Sequence, residues 1–185
     1  MDYKKNLIKG KNKIAVWGTG YIGLSNMVYF SKKKIKCIGY DIDKNKVKTI
    51  NNGKLPIQEL KDWFGFDIKS IVKSRYLTAT NNLKDLYDKR IIIHFIAIPT
   101  EKNGKPYFKI LFSVLKNIIK IILKNSEIKP MIIIESTLTP KISEEKIIPF
   151  FKSKKIIPGK DFIYAVAPRR DWFVEGTKSL ENLDR

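Results

Sequence analysis

Residues 16–25 read VWGTGYIGLS and place Gly18, Gly20 and Gly23 at the spacing G-x-G-x-x-G. This spacing alone is a weak signal, because glycine-rich loops of many kinds contain it. Its surroundings are more specific, since residues 13–17 form an apolar run of strand length and apolar residues recur at helical spacing after the last glycine. The sequence therefore predicts a strand, a tight turn and a helix, in that order.

The three glycines have different parts in a dinucleotide-binding turn of this kind. Gly18 would allow the sharp turn, Gly20 would let a pyrophosphate approach the backbone, and Gly23 would let the helix pack closely on the strand. Free N–H groups at the start of the helix would hold the phosphates. The turn is therefore a candidate nucleotide-binding site.

A second feature of such a site is an acidic residue about 20 residues further on, at the tip of the second strand. The run 35–40, IKCIGY, predicts that strand, and Asp41 follows it directly. A carboxylate at this position accepts hydrogen bonds from the adenosine ribose and repels a 2′-phosphate, which favours NAD over NADP. The alternative is that the glycines and Asp41 only form a turn and bind no nucleotide.

The composition is that of a basic chain with one core. At 185 residues the chain is long enough for one domain and short for a complete two-domain enzyme. The formal net charge is +19, yet Lys outnumbers Arg 32 to 5 and the lysines are spread along the chain. Without a dense basic tail or an interleaved aromatic stacking motif, this pattern favours a solvated lysine-rich surface over a nucleic-acid-binding face.

Neither a secretory signal nor a membrane span is predicted. Residues 1–12 form a basic extension that lacks the apolar core of a signal, and the apolar stretch 110–123 is interrupted and shorter than the ~20 residues of a span. The single cysteine, Cys37, excludes an internal disulfide and a cysteine-based zinc cluster, so a cytoplasmic location is expected. Cys37 and His94 both lie in apolar runs, where a buried structural role is expected, and no metal site is predicted.

The remaining apolar runs predict a parallel sheet covered by helices on both faces. Helices are predicted over 108–124 and over 139–151, the second with Thr139 as N-cap, and segment 52–90 is expected to hold a pair of short helices. We therefore expect a single α/β domain over 13–185 with a doubly wound, Rossmann-like parallel sheet. Its strands are predicted at 13–17, 35–40, 91–98, 131–135 and 162–167.

Polar residues follow the later predicted strands at the point where each strand ends. Because ligands of doubly wound sheets bind beyond the carboxyl ends of the strands, these residues should converge on the rim that carries the glycine turn. For Thr100 and Thr137 the alternative is a helix cap or a turn. The rim residues are Pro99 and Thr100, then Glu135, Ser136 and Thr137, then Pro168, Arg169, Arg170 and Asp171.

Taken together, the rim motifs resemble the N-terminal NAD-binding domain of the UDP-glucose/GDP-mannose (nucleotide-sugar) 6-dehydrogenase family. GTGYIGLS resembles the family's G-x-G-Y-[VI]-G-L, and GYDIDKNKVKTINNGKLPIQE resembles its G-x-D-x-[DN]-x-x-K-V-x-x-[IL]-N-x-G-x-x-P-I-x-E. AIPTE resembles the family's V-P-T-P turn, and ESTLTP resembles its E-S-T-[VL]-x-P. The four motifs occur in the family's order over residues 13–140.

The resemblance implies which residues hold NAD. Asp41 and Lys46 would bind the adenosine ribose, and Ile22 would lie on the adenine side. Thr100 and Thr137 would contact the nicotinamide half, and Thr137 would also order the catalytic water. The candidate cofactor-binding residues are Gly18, Thr19, Gly20, Tyr21, Ile22, Gly23, Asp41, Lys46, Pro99, Thr100, Ser136 and Thr137.

The C-terminal segment matches the family pattern in part. Family members carry P-E-[FR] where this chain has Pro168 followed by Arg169. The chain therefore has a basic residue at the position where the family usually has an acidic residue beside the substrate. Either that acid is absent, or Asp171 or Glu175 replaces it. The candidate catalytic residues are therefore Thr137, Glu175 and Asp171, and the candidate substrate-binding residues are Arg169, Arg170 and Glu175.

The resemblance also implies a reaction. Family members oxidise the C6 alcohol of a nucleotide sugar to a carboxylate in two hydride transfers that consume two NAD, and a cysteine thiolate holds the aldehyde. That cysteine and its assisting lysine come from downstream regions, whereas this chain stops at Arg185. We therefore expect the NAD-binding part of a longer enzyme, of UDP-glucose or UDP-N-acetylhexosamine type, which is inactive alone and forms a homodimer only with the downstream domains.

Two other functions stay open. One is another NAD-dependent alcohol dehydrogenase of the β-hydroxyacid type, although the EST and NNGKLPIQE motifs argue against it. The other is a non-catalytic basic module that binds nucleotides or RNA, and this reading rests on the net charge alone.

Overall fold

The structure is a computed structural model that describes residues 2–125 and 129–168. The main sheet consists of β1 (Lys13–Trp17), β2 (Cys37–Tyr40), β3 (Leu77–Thr80), β4 (Ile91–Ile96), β7 (Met131–Ile134) and β8 (Ile163–Val166), and β5 (Glu101–Lys102) and β6 (Lys105–Pro106) form a separate hairpin. The helices are α1 (Tyr3–Ile8), α2 (Tyr21–Lys32), α3 (Lys44–Asn51), α4 (Glu59–Phe64), α5 (Lys69–Lys73), α6 (Lys109–Lys124) and α7 (Ile148–Ser153). A 3₁₀ turn over Leu83–Tyr87 and a π-helical turn over Ser143–Ile147 complete the described elements.

The six strands of the main sheet lie in the order β3-β2-β1-β4-β7-β8. Every neighbouring pair is parallel. Because the order reverses at β1, the connections after β1 and β4 leave in opposite directions and open a crevice between them at the carboxyl ends. The predicted fold, a doubly wound Rossmann-like parallel sheet, is confirmed.

The sheet separates two hydrophobic layers. On one face α2 contributes Leu24, Met27 and Val28, all fully buried. On the other face α6, which matches the helix predicted over 108–124, contributes the fully buried Leu115 and Ile118. Each such side chain stabilises the fold by about 1.5–3 kcal/mol, so the strand ends that carry the candidate site are fixed from both faces.

Segment 52–90 contains the expected pair of short helices, α4 and α5, but also a strand that the sequence analysis missed. This strand, β3, pairs with β2 from Cys37↔Leu77 to Tyr40↔Thr80. Its four residues, LTAT, are too few and too weakly apolar to show a strand pattern of their own. Its stability comes from pairing with a strand remote in sequence, which local propensity does not report.

The helix predicted over 139–151 begins later than expected. Lys141 has φ +65°, which is left-handed and interrupts a helix. The chain then forms the π-helical turn Ser143–Ile147 and continues as α7. Pro149, near the start of α7, lacks an N–H group and cannot complete a regular α-helical ladder with the preceding turn, which accounts for the wider winding there.

Residues 2–12, the basic extension of the sequence analysis, form α1 and a loop that contact the rest of the chain. The Asp2 carboxylate caps the helix by accepting from the Lys5 N–H. Leu7 is buried in the layer on the α2 face. The Tyr3 hydroxyl donates to the Lys129 carbonyl at 2.5 Å, which connects the helix to the loop before β7.

Cys37 and His94 are buried strand residues, as the sequence predicted. Cys37 is 2% exposed, and burial raises the pKa of its thiol to about 12. His94 is fully buried, and its Nδ1 accepts a hydrogen bond from Trp17 Nε1 at 3.2 Å. Burial lowers the pKa of His94 to about 4, so the ring is neutral at physiological pH.

We expect the free energy of unfolding to fall by roughly 2 kcal/mol between pH 7 and pH 5 because of His94. This residue is the single histidine of the chain. In the unfolded chain it takes up a proton near pH 6.5, whereas the buried ring stays neutral down to about pH 4. The unfolded state therefore binds more protons in this window, and acidification favours it. Urea unfolding at the two pH values measures the difference.

The control variant is His94→Gln, which keeps an acceptor for Trp17 Nε1 and removes the ionisable ring. Its loss of stability over the same pH range should be below about 0.5 kcal/mol. Hydrogen bonds, chiefly from Arg90, hold the pKa of Asp88 well below its usual value, so the stability that this carboxylate contributes is nearly constant above about pH 4 and is lost as the pH falls further. If His94→Gln retains the full pH dependence, the assignment to His94 is wrong.

Candidate functional site

The turn between β1 and α2 needs two of its three glycines for the fold itself. Gly18 has φ +89°, and a Cβ added there would overlap the carbonyl oxygen of Ala97. A Cβ added at Gly23 would overlap the carbonyl oxygen of Gly18, so the close contact of α2 with the turn depends on glycine. The geometry of the turn therefore requires glycine at these two positions.

Gly20 is different, because a Cβ added there would meet no heavy atom within 4 Å. Its φ of −73° is accessible to any residue. Gly20 is also the N-cap of α2 and therefore lies at the positive end of the helix dipole. The position thus combines open space with the positive end of a helix dipole, at a glycine that the backbone does not require. Such a combination suits an anion-binding site.

Asp41 lies directly after β2 and is linked to the glycine turn by hydrogen bonds. Its Oδ2 accepts from the Thr19 N–H at 2.9 Å and from the Thr19 hydroxyl at 2.7 Å, and its Oδ1 accepts from the Asp43 N–H at 3.0 Å. Burial alone would raise the pKa of Asp41, but these bonds and the positive charge of Lys46 hold the pKa below its usual value. The residue is therefore a fixed carboxylate at neutral pH.

Thr19 is fully buried, so its side chain orients Asp41 and faces no solvent. Asp41 and Lys46 both line a cavity of about 380 Å³, here called the Asp41 cavity. Trp17 and Tyr40 also line it, and Ile42, which is 84% exposed, lies at the same cavity. The Asp41 cavity thus combines a carboxylate and an ammonium group with apolar walls.

A second cavity, of about 560 Å³, lies on the other side of the glycine turn and is here called the Thr137 cavity. It is lined by residues that follow β4 and β7, among them Thr100, Ser136 and Thr137. The Thr100 hydroxyl donates to the Thr137 carbonyl at 2.6 Å. Thr100 is buried, whereas Thr137 is exposed at the cavity.

Ser136 connects the two loops that form the Thr137 cavity. Its hydroxyl donates to the Ile98 carbonyl at 2.8 Å and accepts from the Ile98 N–H at 3.0 Å. Ser136 is 7% exposed. Its side chain therefore acts by holding the loop after β7 against the loop after β4, which sets the width of the cavity.

The two cavities meet at the glycine turn. Gly20, Ala97, Ile98 and Pro99 line both of them. A ligand with two bulky ends and an anionic centre can therefore lie with its centre at the start of α2 and one end in each cavity. All the candidate cofactor-binding residues named above except Thr19 and Gly23 line one or both of these cavities.

One position of the turn, Ile22, is placed differently from the sequence interpretation. Ile22, assigned to the adenine side, lines the Thr137 cavity and is absent from the lining of the Asp41 cavity. Tyr21 lines the Thr137 cavity as well. The first two residues of α2 thus lie with the residues that follow β4 and β7.

The sequence analysis missed one member of the site, Asn26, and left Glu135 without a role. Both side chains are buried, Asn26 at 3% and Glu135 at 4% exposure, and the Asn26 amide donates to Glu135 Oε2. Glu135 also lines the Thr137 cavity. A possible signal was the polar Asn26 within the apolar stretch of α2, because a buried amide needs a hydrogen-bonding partner.

Several predicted residues cannot be placed in this geometry. Arg169, Arg170, Asp171 and Glu175 lie outside the described residues. None of the helices within residues 2–125 and 129–168 has the length and apolar character needed to cross a bilayer. In the same part of the chain, no three His, Cys, Asp or Glu side chains are grouped as metal ligands.

Comparison with known proteins gives the family. A family model described as the UDP-glucose/GDP-mannose dehydrogenase family, NAD binding domain, matches residues 12–183. A UDP-N-acetyl-D-mannosamine dehydrogenase from Methanococcus aeolicus is 33% identical over 174 residues, which cover 92% of this chain and 36% of that protein. A UDP-glucose 6-dehydrogenase from Campylobacter jejuni is 38% identical over 127 residues, which cover 68% of this chain and 30% of that protein.

Solved structures agree with these relatives. A UDP-D-ManNAc dehydrogenase from Pyrococcus horikoshii matches with a TM-score of 0.67 and 28% identity, over 86% of this chain and 36% of that one. A GDP-mannose dehydrogenase from Pseudomonas aeruginosa shares the fold, with a TM-score of 0.72 at 24% identity over 85% of this chain and 36% of that one. The chain thus spans about a third of the length of the proteins it matches.

The motif resemblance and the choice of NAD as cofactor are both confirmed by these matches. The glycine turn, Asp41 and the EST segment lie in the matched region, and the structure arranges them around one crevice. The chain therefore belongs to the UDP-glucose/GDP-mannose dehydrogenase family, and its residues 12–183 correspond to that family's NAD-binding domain.

Proposed function

We propose that the chain binds NAD across the Asp41 and Thr137 cavities and serves as the cofactor domain of a nucleotide-sugar 6-dehydrogenase. The observation that carries this proposal is the open space at Gly20, which lies between the two cavities at the start of α2. A pyrophosphate at that point lies at the N-terminus of α2, where backbone N–H groups and the positive end of the helix dipole favour an anion.

The adenosine half belongs in the Asp41 cavity. Asp41 is held by Thr19 and Asp43, and its lowered pKa keeps it ionised. An oriented carboxylate accepts hydrogen bonds from ribose hydroxyls and repels the 2′-phosphate of NADP. Lys46 lies at the same cavity and contributes a positive charge that attracts the diphosphate.

The nicotinamide half belongs in the Thr137 cavity, with Ile22 and Tyr21 on its α2 side. NAD supplies the hydride acceptor when it is bound. Thr100 and Ser136 hold the two loops together, and the exposed Thr137 is the hydroxyl proposed to orient a water molecule. The residues proposed to face the sugar are Arg169, Arg170, Asp171 and Glu175.

The proposed substrate is a UDP-hexose or UDP-N-acetylhexosamine whose C6 alcohol is oxidised to a carboxylate. Support comes from the relatives, whose names include a UDP-N-acetyl-D-mannosamine dehydrogenase and a UDP-glucose 6-dehydrogenase. The chain covers about a third of these proteins, so turnover and dimerisation are proposed for the cofactor domain together with the downstream domains.

We expect the purified chain to bind NAD at least about tenfold more tightly than NADP because of Asp41. Asp41→Ala removes both the acceptor for the ribose hydroxyls and the charge that repels the 2′-phosphate. NAD affinity should fall about tenfold, and the affinities for the two cofactors should come within about threefold of each other. Isothermal titration calorimetry with each cofactor measures both effects.

Asp2→Ala is the matched control for Asp41→Ala. Asp2 caps α1 and lines neither cavity, so its removal costs about 1 kcal/mol of stability at most and leaves both affinities unchanged. Equal affinity of the unaltered chain for NAD and NADP would contradict the role given to Asp41.

A further inference from the structure

We propose that the chain docks on an anionic membrane surface through the edge of the main sheet that lies opposite the two cavities. All neighbouring strands of this sheet are parallel, so their amino ends lie together at one edge, here called the amino edge. The cavities lie beyond the carboxyl ends, at the edge here called the carboxyl edge. The contact is peripheral: lysines meet acidic lipid headgroups, and a few aliphatic side chains enter the headgroup region.

The first support is the uneven charge of the two edges. The described segments that lead into the strands at the amino edge contain 12 Lys or Arg and 2 Asp, whereas those at the carboxyl edge contain 3 Lys and 4 Asp or Glu. A lysine-rich composition alone would make both edges basic. The segments at the amino edge are 9–12, 33–36, 74–76, 88–90, 125, 129–130 and 154–162, and those at the carboxyl edge are 18–20, 41–43, 81–82, 97–108, 135–142 and 167–168.

Helix dipoles account for only part of this difference. The helices α2, α6 and α7 end at the amino edge, where the negative end of each dipole favours cations in the last turn. Lys129 and Lys160 follow the ends of α6 and α7 by five and seven residues, so they lie beyond that turn. The two acidic residues of the amino edge, Asp88 and Asp161, accept hydrogen bonds from other groups of the same edge.

The basic segments form one continuous surface. Backbone hydrogen bonds join neighbouring segments, for example from the Lys13 N–H to the Arg90 carbonyl at 2.8 Å and from the Ile14 N–H to the Lys36 carbonyl at 2.9 Å. The six strands lie side by side in one sheet, and their spacing of about 4.8 Å gives the row of segments a length of about 24 Å.

The helix α1 belongs to the same surface. The Tyr3 hydroxyl donates to the Lys129 carbonyl at 2.5 Å, and the Lys129 ammonium group donates to the Gly159 carbonyl. These bonds connect α1 to the loop over 154–162. The outer side of α1 carries a shallow groove of about 280 Å³, which is lined by Asp2, Lys4, Lys5, Ile8 and Lys9.

The second support is a set of exposed aliphatic side chains at the amino edge. Ile8 is 61% exposed, Leu123 near the end of α6 is 62% exposed, and Ile157 is 43% exposed. None of them lines the Asp41 or the Thr137 cavity. Aliphatic side chains among lysines suit the interface of an anionic bilayer. A single-stranded nucleic acid is instead bound by aromatic and arginine side chains that stack on bases, and 10 of the 12 basic residues counted above are lysines.

This orientation leaves the cofactor crevice accessible. The strands of the main sheet are four to six residues long, so the two edges are separated by about 13–20 Å. This distance exceeds the Debye length of about 8 Å at physiological ionic strength. Docking through the amino edge therefore leaves both cavities open to solvent and little affected by the membrane charge.

The test is cosedimentation with vesicles of equal parts phosphatidylglycerol and phosphatidylcholine. We expect the unaltered chain to bind these vesicles at least about tenfold more tightly than pure phosphatidylcholine vesicles. Raising the salt concentration from about 0.1 M to about 0.5 M should weaken the binding about tenfold. Absence of binding to the anionic vesicles would overturn the inference.

Two fourfold variants that remove the same net charge separate the amino edge from the charge of the whole chain. All eight lysines are exposed. The amino-edge variant should weaken vesicle binding at least about tenfold, and the carboxyl-edge control less than about threefold. Equal weakening by both variants would overturn the inference. The amino-edge variant is Lys4→Gln, Lys9→Gln, Lys11→Gln and Lys160→Gln, and the control is Lys44→Gln, Lys105→Gln, Lys109→Gln and Lys141→Gln.

A third variant distinguishes a bilayer from a nucleic acid. Ile8→Ser combined with Ile157→Ser should weaken vesicle binding about fivefold and leave the salt-dependent gel shift of a random-sequence RNA unchanged. If the double variant binds vesicles as the unaltered chain does, and RNA binds more tightly than the vesicles, the partner of the amino edge is a nucleic acid and the inference is wrong.

NAD titration of the vesicle-bound chain tests the orientation. The affinity for NAD should agree with that of the free chain within about twofold, because the cavities lie at the other edge. Loss of NAD binding on vesicles alone would contradict docking through the amino edge. Failure to bind NAD both free and on vesicles would refute the proposed function and leave the docking surface standing.

Discussion

Replacing Gly20 with valine is expected to abolish NAD binding while the domain stays folded. The added side chain has space in the free protein, because no heavy atom lies within 4 Å of a Cβ at this position. The backbone angles of Gly20, φ −73° and ψ −165°, suit a β-branched residue. The branched side chain would instead occupy the space proposed for the pyrophosphate, so the affinity for NAD should fall about 100-fold or more, equivalent to about 2.7 kcal/mol.

Gly23→Ala is the contrasting variant on the same turn. Here the added Cβ overlaps the carbonyl oxygen of Gly18, so α2 must move away from the turn and stability should fall by about 1–3 kcal/mol. Thermal unfolding separates the two cases: Gly20→Val should melt within about 5 °C of the unaltered chain, and Gly23→Ala clearly lower. Retained NAD affinity in folded Gly20→Val would contradict the placement of the pyrophosphate.

Residues 1–185 alone are expected to produce no NADH from UDP-glucose, UDP-N-acetylhexosamines or GDP-mannose at saturating NAD. The proposed oxidation to a carboxylate needs a thiolate to hold the aldehyde and a wall that positions the sugar C6 against the nicotinamide. The sequence contains one cysteine, Cys37. Its thiol is 2% exposed, and burial raises its pKa to about 12, so it forms almost no thiolate at neutral pH.

The position of Cys37 leads to the same expectation. Cys37 is the first residue of β2 and pairs with Ile14 and Leu77, whereas both cavities lie beyond the carboxyl ends of the strands. A sugar held near Thr137 is therefore at the opposite edge of the sheet from the thiol. The chain contains no second thiol that could replace it.

The experiment joins residues 1–185 to the downstream part of a relative such as the Methanococcus aeolicus protein, of which this chain covers 36%. NADH absorbance should rise with the fusion protein and stay flat with the isolated chain. In the fusion, Thr137→Ala should lower the rate about 100-fold or more, whereas Cys37→Ser should leave it unchanged. Steady NADH production by the isolated chain, lost in Thr137→Ala, would contradict the need for downstream domains.

Local patterns were sufficient for the elements whose stability is mainly local. The strand at 13–17 and the helix α6 were predicted to within one residue of their bounds, and a helix was predicted after the glycine turn without stated bounds. Apolar periodicity and glycine spacing depend on neighbouring residues, so they report such elements. The strand β3 was missed, since LTAT forms a strand only by pairing with β2. The start of α7 was misplaced because Lys141 is left-handed and interrupts the helix, which the predicted Thr139 cap does not reveal.

In the candidate site, too, some residues were identified from the sequence and some contacts were seen only in the structure. Gly18, Gly20, Asp41 and the EST segment were identified from spacing, because their order along the chain reflects the order of the strands. Spacing did not show that the Thr19 hydroxyl donates a hydrogen bond to Asp41. Nor did spacing place Ile22 at the Thr137 cavity.

The sequence by itself determined the family, the doubly wound sheet and NAD as cofactor, because a strand, a glycine turn and an acidic strand tip each leave a signature within a few tens of residues. Only the tertiary structure decided that two cavities meet at Gly20 and that Glu135 and Asn26 form a buried pair in the wall of one of them. The physical reason is that these contacts join residues far apart in the chain. Their distance and burial depend on how α2 and the loops after β4 and β7 pack together, which no local pattern of residues encodes.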